Sequence, residues 1–119
     1  MALLNSEPCC PFRTAQSLIS GKYKQQIVWE LMKHNLRFSE LLHIFSGITS
    51  KVLSQQLRML ESDGLITRTV YPDTPPKVEY ALTDLGISVR PILIAMLEWG
   101  QLYLAENKKI SACAGCHRQ

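Results

Sequence analysis

The chain has 119 residues, of which 46% are hydrophobic and 19% charged, with a net charge of +3; this suits one globular domain and excludes a disordered chain. A membrane span is excluded too, because the longest purely apolar run, Ile92 to Leu97, falls far short of the roughly 18 residues needed. The positive excess is too small to argue for nucleic acid, so such an argument must rest on where the basic residues sit.

In chain order, residues 1–11 read as an N-terminal arm, since Glu7-Pro8-Cys9-Cys10-Pro11 carries prolines that oppose helix. No basic segment followed by a long apolar one marks a signal peptide, so we expect a cytoplasmic protein whose cysteines are thiols, ligands or redox sensors. A short helix is predicted over Arg13–Ile19, ended by Ser20-Gly21. A second spans Lys22–Lys33, with Tyr23, Ile27, Val28, Leu31 and Met32 on one side, and breaks at His34-Asn35. A third starts near Ser39, a capping residue with Glu40 in the first turn. It turns Leu41, Leu42 and Phe45 inward and stops at Ser46-Gly47.

Thr49 or Ser50 caps a fourth helix that runs to Asp63, with Gly64 as its stop. Leu65–Tyr71 and Val78–Leu82 then read as a β-hairpin around the turn-rich Pro72-Asp73-Thr74-Pro75-Pro76-Lys77. Thr83-Asp84 caps a long last helix reaching about Leu104, with apolar positions from Leu85 through Trp99 to Tyr103. Pro91 marks a kink or break within it. The expected division is arm 1–11, folded domain 12–104 and a cysteine-containing tail 105–119.

The order helix, helix, helix, hairpin, helix, with a tight turn before the fourth helix, is that of a winged helix-turn-helix: mainly α with a small β-hairpin. The fourth helix should then enter the major groove. At about 100° per residue, Leu53, Leu57 and Leu60 form one stripe, widened by Val52 and Met59, while Lys51, Ser54, Gln55 and Arg58 share the opposite face. Arg and Gln can pair with guanine and adenine edges, and Lys and Ser suit phosphates. Thr49 and Ser50 sit where backbone N–H groups hold a phosphate. Arg68 and Lys77 add positive charge at the hairpin's ends. A solvated polar face is the plainer reading, and the hairpin tips the balance toward double-stranded DNA. Gln56 falls among the apolar positions and reads as structural.

Cys10-Pro11, Ser20-Gly21-Lys22, Arg37-Phe38-Ser39-Glu40-Leu41, Ile48-Thr49, the run Leu53 to Glu61, Asp63-Gly64-Leu65-Ile66, Arg68, Pro76 to Tyr80, Leu82 to Gly86 and Trp99-Gly100 resemble the HxlR family of winged helix-turn-helix regulators, related in fold to the MarR group. The resemblance covers about residues 10 to 100. It implies a DNA-binding homodimer formed by the first and last helices, with half-sites about 34–36 Å apart or a multiple of that. Repression is the outcome implied by analogy. The chain departs from the family at Tyr23-Lys24-Gln25-Gln26, where tryptophan and an apolar run are usual.

The resemblance also implies that Cys10, before Pro11, senses oxidants or electrophiles, with Cys9 beside it. Such a thiol needs exposure and a lowered pKa, for which Arg13 and Lys22 are candidate sources of charge. Oxidation to sulfenic acid, then a disulfide to Cys113 or Cys116, would be the switch. Competing readings are a four-sulfur metal site, a chance haem-attachment match at Cys113-Ala114-Gly115-Cys116-His117, or inert tail thiols. His34 and His43 suit no metal pair, and Trp29 and Trp99 read as core or dimer packing. No cofactor is expected, and a small-molecule effector remains open. No phosphate-cradling loop or catalytic constellation suggests an enzyme. The other classes weighed are a metal- or ligand-responsive regulator of the same fold, and a winged-helix module that docks protein.

Overall fold

The computed structural model describes residues 10–107, which fall into two compact units divided between Ile87 and Ser88. The first unit holds α1 (Pro11–Ile19), α2 (Lys24–Lys33), β1 (Leu36–Arg37), α3 (Phe38–Ile44), α4 (Ser50–Ser62), β2 (Ile66–Tyr71), β3 (Lys77–Leu82) and the single turn α5 (Asp84–Ile87). The second holds α6 (Arg90–Glu106). No described helix is long and apolar enough to cross a membrane.

The core of the first unit is aliphatic. Ile27 and Leu31 of α2, Leu41 of α3, and Leu53, Leu57 and Leu60 of α4 are buried together with Leu65, Ile66 and Tyr80 of the hairpin. The three α4 leucines are the stripe read from helical spacing. Met59 is not part of it: it lies about 120° from the stripe's centre and is 46% exposed.

Three helix starts differ from expectation: α1 begins at Pro11, inside the expected arm, where proline suits a helix's first turn, α2 begins at Lys24 and not Lys22, and α3 begins one residue early. Chain extension persists through Arg37 because Leu36 and Arg37 pair with Tyr80 and Glu79 of β3, giving a three-stranded antiparallel sheet in the order β1-β3-β2. Helix α3 therefore begins at Phe38, not Ser39, and the Glu40 carboxylate accepts the Arg37 backbone N–H at 2.8 Å. The acid that was read as first-turn charge is itself half of the cap. A two-residue strand carries too little periodicity to be seen in sequence.

Helix α4 behaves as read. Thr49 is its N-cap, with Oγ1 accepting the Val52 N–H at 3.1 Å. Gly64 ends it with φ +82°, a left-handed turn that a side chain would strain. Immediately after the hairpin, one hydroxyl ties several segments. Thr83 Oγ1 donates to the Gly64 carbonyl at 2.7 Å and accepts the Gly86 N–H at 3.0 Å, while the Thr83 N–H donates to the Leu65 carbonyl at 3.0 Å. Gly86 is required by close approach, since a Cβ there would collide with the Leu65 carbonyl oxygen.

The expected last helix is two helices. The break falls at Ser88-Val89, and Pro91 lies in the first turn of α6, where its missing N–H costs nothing. Leu85, expected on the apolar side of one long helix, is 58% exposed in α5. In α6, Leu93 is buried, whereas Ile92, Met96, Trp99, Leu102 and Tyr103 are all exposed. Trp99, at 64% exposure, is not a core residue; its ring stacks on Tyr103 with centroids 5.6 Å apart.

Candidate nucleic-acid interface

Helix α4 separates its two faces cleanly. Lys51, Gln55 and Arg58, spaced i, i+4 and i+7, are exposed on one line, with Ser54 half-buried beside them. Among the described residues, no carboxylate pairs with Lys51 or Arg58, so both charges are available to a partner. Ser50 and Thr49 are exposed at the N-terminal end of the same helix. The Thr49 hydroxyl is engaged as an acceptor and still has its proton to donate.

The hairpin does not bring its two expected basic residues together. Register pairs Arg68 with Tyr80 and Lys77 with Tyr71. Side chains alternate along a strand, so Arg68 and Lys77 project from opposite faces of the sheet. Arg68 is exposed on the face that carries Ile66 and Tyr80; Lys77 stands near the loop on the other.

That other face contains a small cluster missed in sequence. The Lys77 ammonium lies 5.2 Å from the centre of the Tyr71 ring, and the Tyr71 hydroxyl donates to Glu79 Oε1 at 3.2 Å. The hydrogen bond to Glu79, and then the carboxylate's negative charge, push the Tyr71 phenol above its ordinary value of 10.0. Strand alternation places positions 71, 77 and 79 on one face once the register is known, but the register was not readable.

Lys24 was missed as well. It is buried at 6% exposure, on the same side of α2 as Ile27, Val28 and Leu31. Its Nζ lies 3.7 Å from Asp63 Oδ2 and 3.4 Å from the Ser17 carbonyl. Its spacing from Ile27, Val28 and Leu31 was the available signal.

Cys10 is the N-cap of α1 and is only 2% exposed, so the exposure asked of a sensor thiol is not met there. Cys9, Cys113 and Cys116 lie outside the described residues. No cluster of three or more metal-ligating side chains occurs among the described residues. His34 and His43 are both exposed.

A family model described as HxlR-like helix-turn-helix matches residues 18–108, which include all of α2 through α6. The chain belongs to that family. A helix-turn-helix transcriptional regulator of Methanothermobacter thermautotrophicus is 46% identical over 99 residues, covering 83% of this chain and 76% of the relative. Among solved structures, the redox regulator HypR in its reduced form matches with a TM-score of 0.74 at 41% identity, covering 76% of this chain and 90% of that one. A MarR-family transcriptional regulator from Porphyromonas gingivalis W83 matches with a TM-score of 0.74 at 35% identity, over 81% of this chain and 94% of that one. The fold is thus a winged helix-turn-helix of the MarR-like kind. The chain is a DNA-binding transcriptional regulator and not an enzyme.

Proposed function

We propose that the protein represses transcription in the cytoplasm by binding a two-fold operator as a homodimer, with residues 12–104 acting as one regulator domain. The observation that carries this reading is the unpaired stripe of Lys51, Gln55 and Arg58 on α4, backed by three fully covered leucines. A helix held this way enters the major groove with its polar side foremost. Arg58 and Gln55 then reach base edges; Lys51, Ser54, Ser50 and Thr49 hold the flanking phosphates. Lys77, steadied over the Tyr71 ring, meets the backbone beside the groove, and Arg68 adds charge from the other face of the wing.

The dimer is supported by apolar side chains left in water. Along α6, Ile92, Met96, Trp99, Leu102 and Tyr103 are exposed, and Phe12 of α1 is 86% exposed. A second copy would cover them through the first and last helices.

A second element of the reading concerns the signal. Similarity to a protein named as a redox regulator, and Cys10 at the start of α1, support oxidant sensing through Cys10. Because that thiol is buried, its oxidation has to follow a local opening at the start of α1. Cys9, Cys113 or Cys116 would supply the second thiol of a disulfide.

Sequencing genomic fragments retained by the purified protein, with and without an oxidant such as diamide, tests the whole reading. Enrichment of one two-fold sequence, lost on oxidation, is expected. Fragments no different from random would overturn the operator reading. A Cys10→Ser protein that kept its full response to the oxidant would overturn the sensor assignment alone.

A further inference from the structure

We propose that Tyr71 is a positioning residue for DNA binding, which holds the opposite charges of Lys77 and Glu79 apart so that Lys77 stays free for a phosphate. The role rests on the reading given under Proposed function, in which Lys77 meets the DNA backbone.

Left to themselves, Lys77 and Glu79 would find each other. They stand two positions apart on β3 and therefore on one face of it. Their Cα atoms are then about 6–7 Å apart, a gap that two long side chains close. Both are half-buried, where an ion pair is screened less than in open water. An ammonium paired to a carboxylate has little charge to offer a phosphate and displaces few counterions from DNA. Yet among the described residues no carboxylate pairs with Lys77.

Tyr71 accounts for the separation with its two ends. It sits directly across from Lys77 and diagonally from Glu79, whose own partner on β2 is Thr69. The Lys77 ammonium lies 5.2 Å from the ring centre, where the π-face attracts a cation without cancelling its charge. The phenolic hydroxyl donates to Glu79 Oε1 at 3.2 Å and so engages the carboxylate that Lys77 would otherwise take. That hydrogen bond, and then the charge of Glu79, hold the phenol above its ordinary value of 10.0, so the donor keeps its proton across the neutral range. Arg37 also faces Glu79, across the β1–β3 pair, but its Nε lies 3.9 Å from Glu40 Oε1. Lys77 thus keeps a whole positive charge at the loop end of the hairpin.

Duplex affinities of a short variant series, measured at several salt concentrations, test the assignment. Lys77→Ala sets the reference: it should weaken every duplex about threefold and reduce the slope of log affinity against log salt by about 1. Tyr71→Leu should do nearly the same, although Lys77 is still present. Adding Glu79→Gln to Tyr71→Leu should restore most of the lost affinity and slope, because no carboxylate is left to capture Lys77. Glu79→Gln alone, which keeps an acceptor for the Tyr71 hydroxyl, should bind at least as tightly as the parent. A loss that Glu79→Gln does not repair, or weaker binding by Glu79→Gln alone, would make the cluster a mere hairpin stiffener and overturn the proposal. Tyr71→Phe, with and without Glu79→Gln, repeats the test should the leucine variant not fold, as judged by circular dichroism. Its loss should be smaller, because the ring remains, and should be repaired in the same way.

A crystal structure of DNA-free Tyr71→Leu checks the cause without assuming any DNA contact. The Lys77 ammonium should lie within about 4 Å of the Glu79 carboxylate. Glu79 turned to Arg37, or Lys77 left unpaired, would overturn the proposal. If that ion pair forms while Lys77→Ala leaves duplex binding unchanged, the separation by Tyr71 stands and the Lys77 contact given under Proposed function falls.

Discussion

Helices α4 and α6 both carry a row of large apolar side chains, and they dispose of them in opposite ways. In α4, Leu53, Leu57 and Leu60 are almost wholly covered by their own unit, and the side left in water is polar. In α6, Leu93 is buried while Met96, Trp99 and Leu102 remain in water. A covered row consolidates one chain; an uncovered row invites another. The first helix thus leaves a polar side open and the second an apolar one, the division on which the proposed DNA contact and the proposed self-association rest.

The comparison can be broken at four points. Leu57→Ala removes a buried side chain whose site cannot collapse fully, so stability should fall by about 2–5 kcal/mol, read from urea unfolding. A smaller loss would mean that α4 is less firmly seated than its burial implies. Trp99→Ala should leave folding intact and weaken self-association by roughly 2 kcal/mol, about thirtyfold in dimer Kd. Sedimentation equilibrium reads this directly, and an unchanged dimer would move the interface off α6. Arg58→Ala should cost about 1–3 kcal/mol on the preferred sequence and almost nothing on random duplex. Equal losses on both would demote Arg58 to a phosphate contact. The smallest effect belongs to Lys77→Ala, which should weaken all duplexes alike and reduce the slope of log affinity against log salt by about 1.

Most of this division was legible in the sequence, because it is written in helical spacing. Leucines at 53, 57 and 60 announced a covered side, and Thr49 and Gly64 marked the limits of α4. What stayed hidden depended on partners far along the chain. β1 exists because Tyr80 and Glu79 offer Leu36 and Arg37 a pairing edge. The opposite projection of Arg68 and Lys77 follows from hairpin register, which the proline-rich loop does not specify by itself. Lys24 drew notice only as part of a departure from the family's pattern, because lysine is rarely buried; only the approach of α4's end, bringing Asp63, makes its burial tolerable. Pro91 announced an interruption, but whether it kinked a helix or opened a new one turned on Val89 and Arg90 adopting a fresh first turn.

The Thr83 hydroxyl has a reach beyond its size. By clasping the carbonyl that closes α4 and the Gly86 amide of α5, it ties the end of α4 to the far end of the hairpin. If α4 enters the groove as proposed, this joint favours one spacing between it and the hairpin over others. Discrimination among operators would therefore include the geometry of the double helix itself: a stretch whose groove width or bend sets the wrong gauge is rejected even where every base is right.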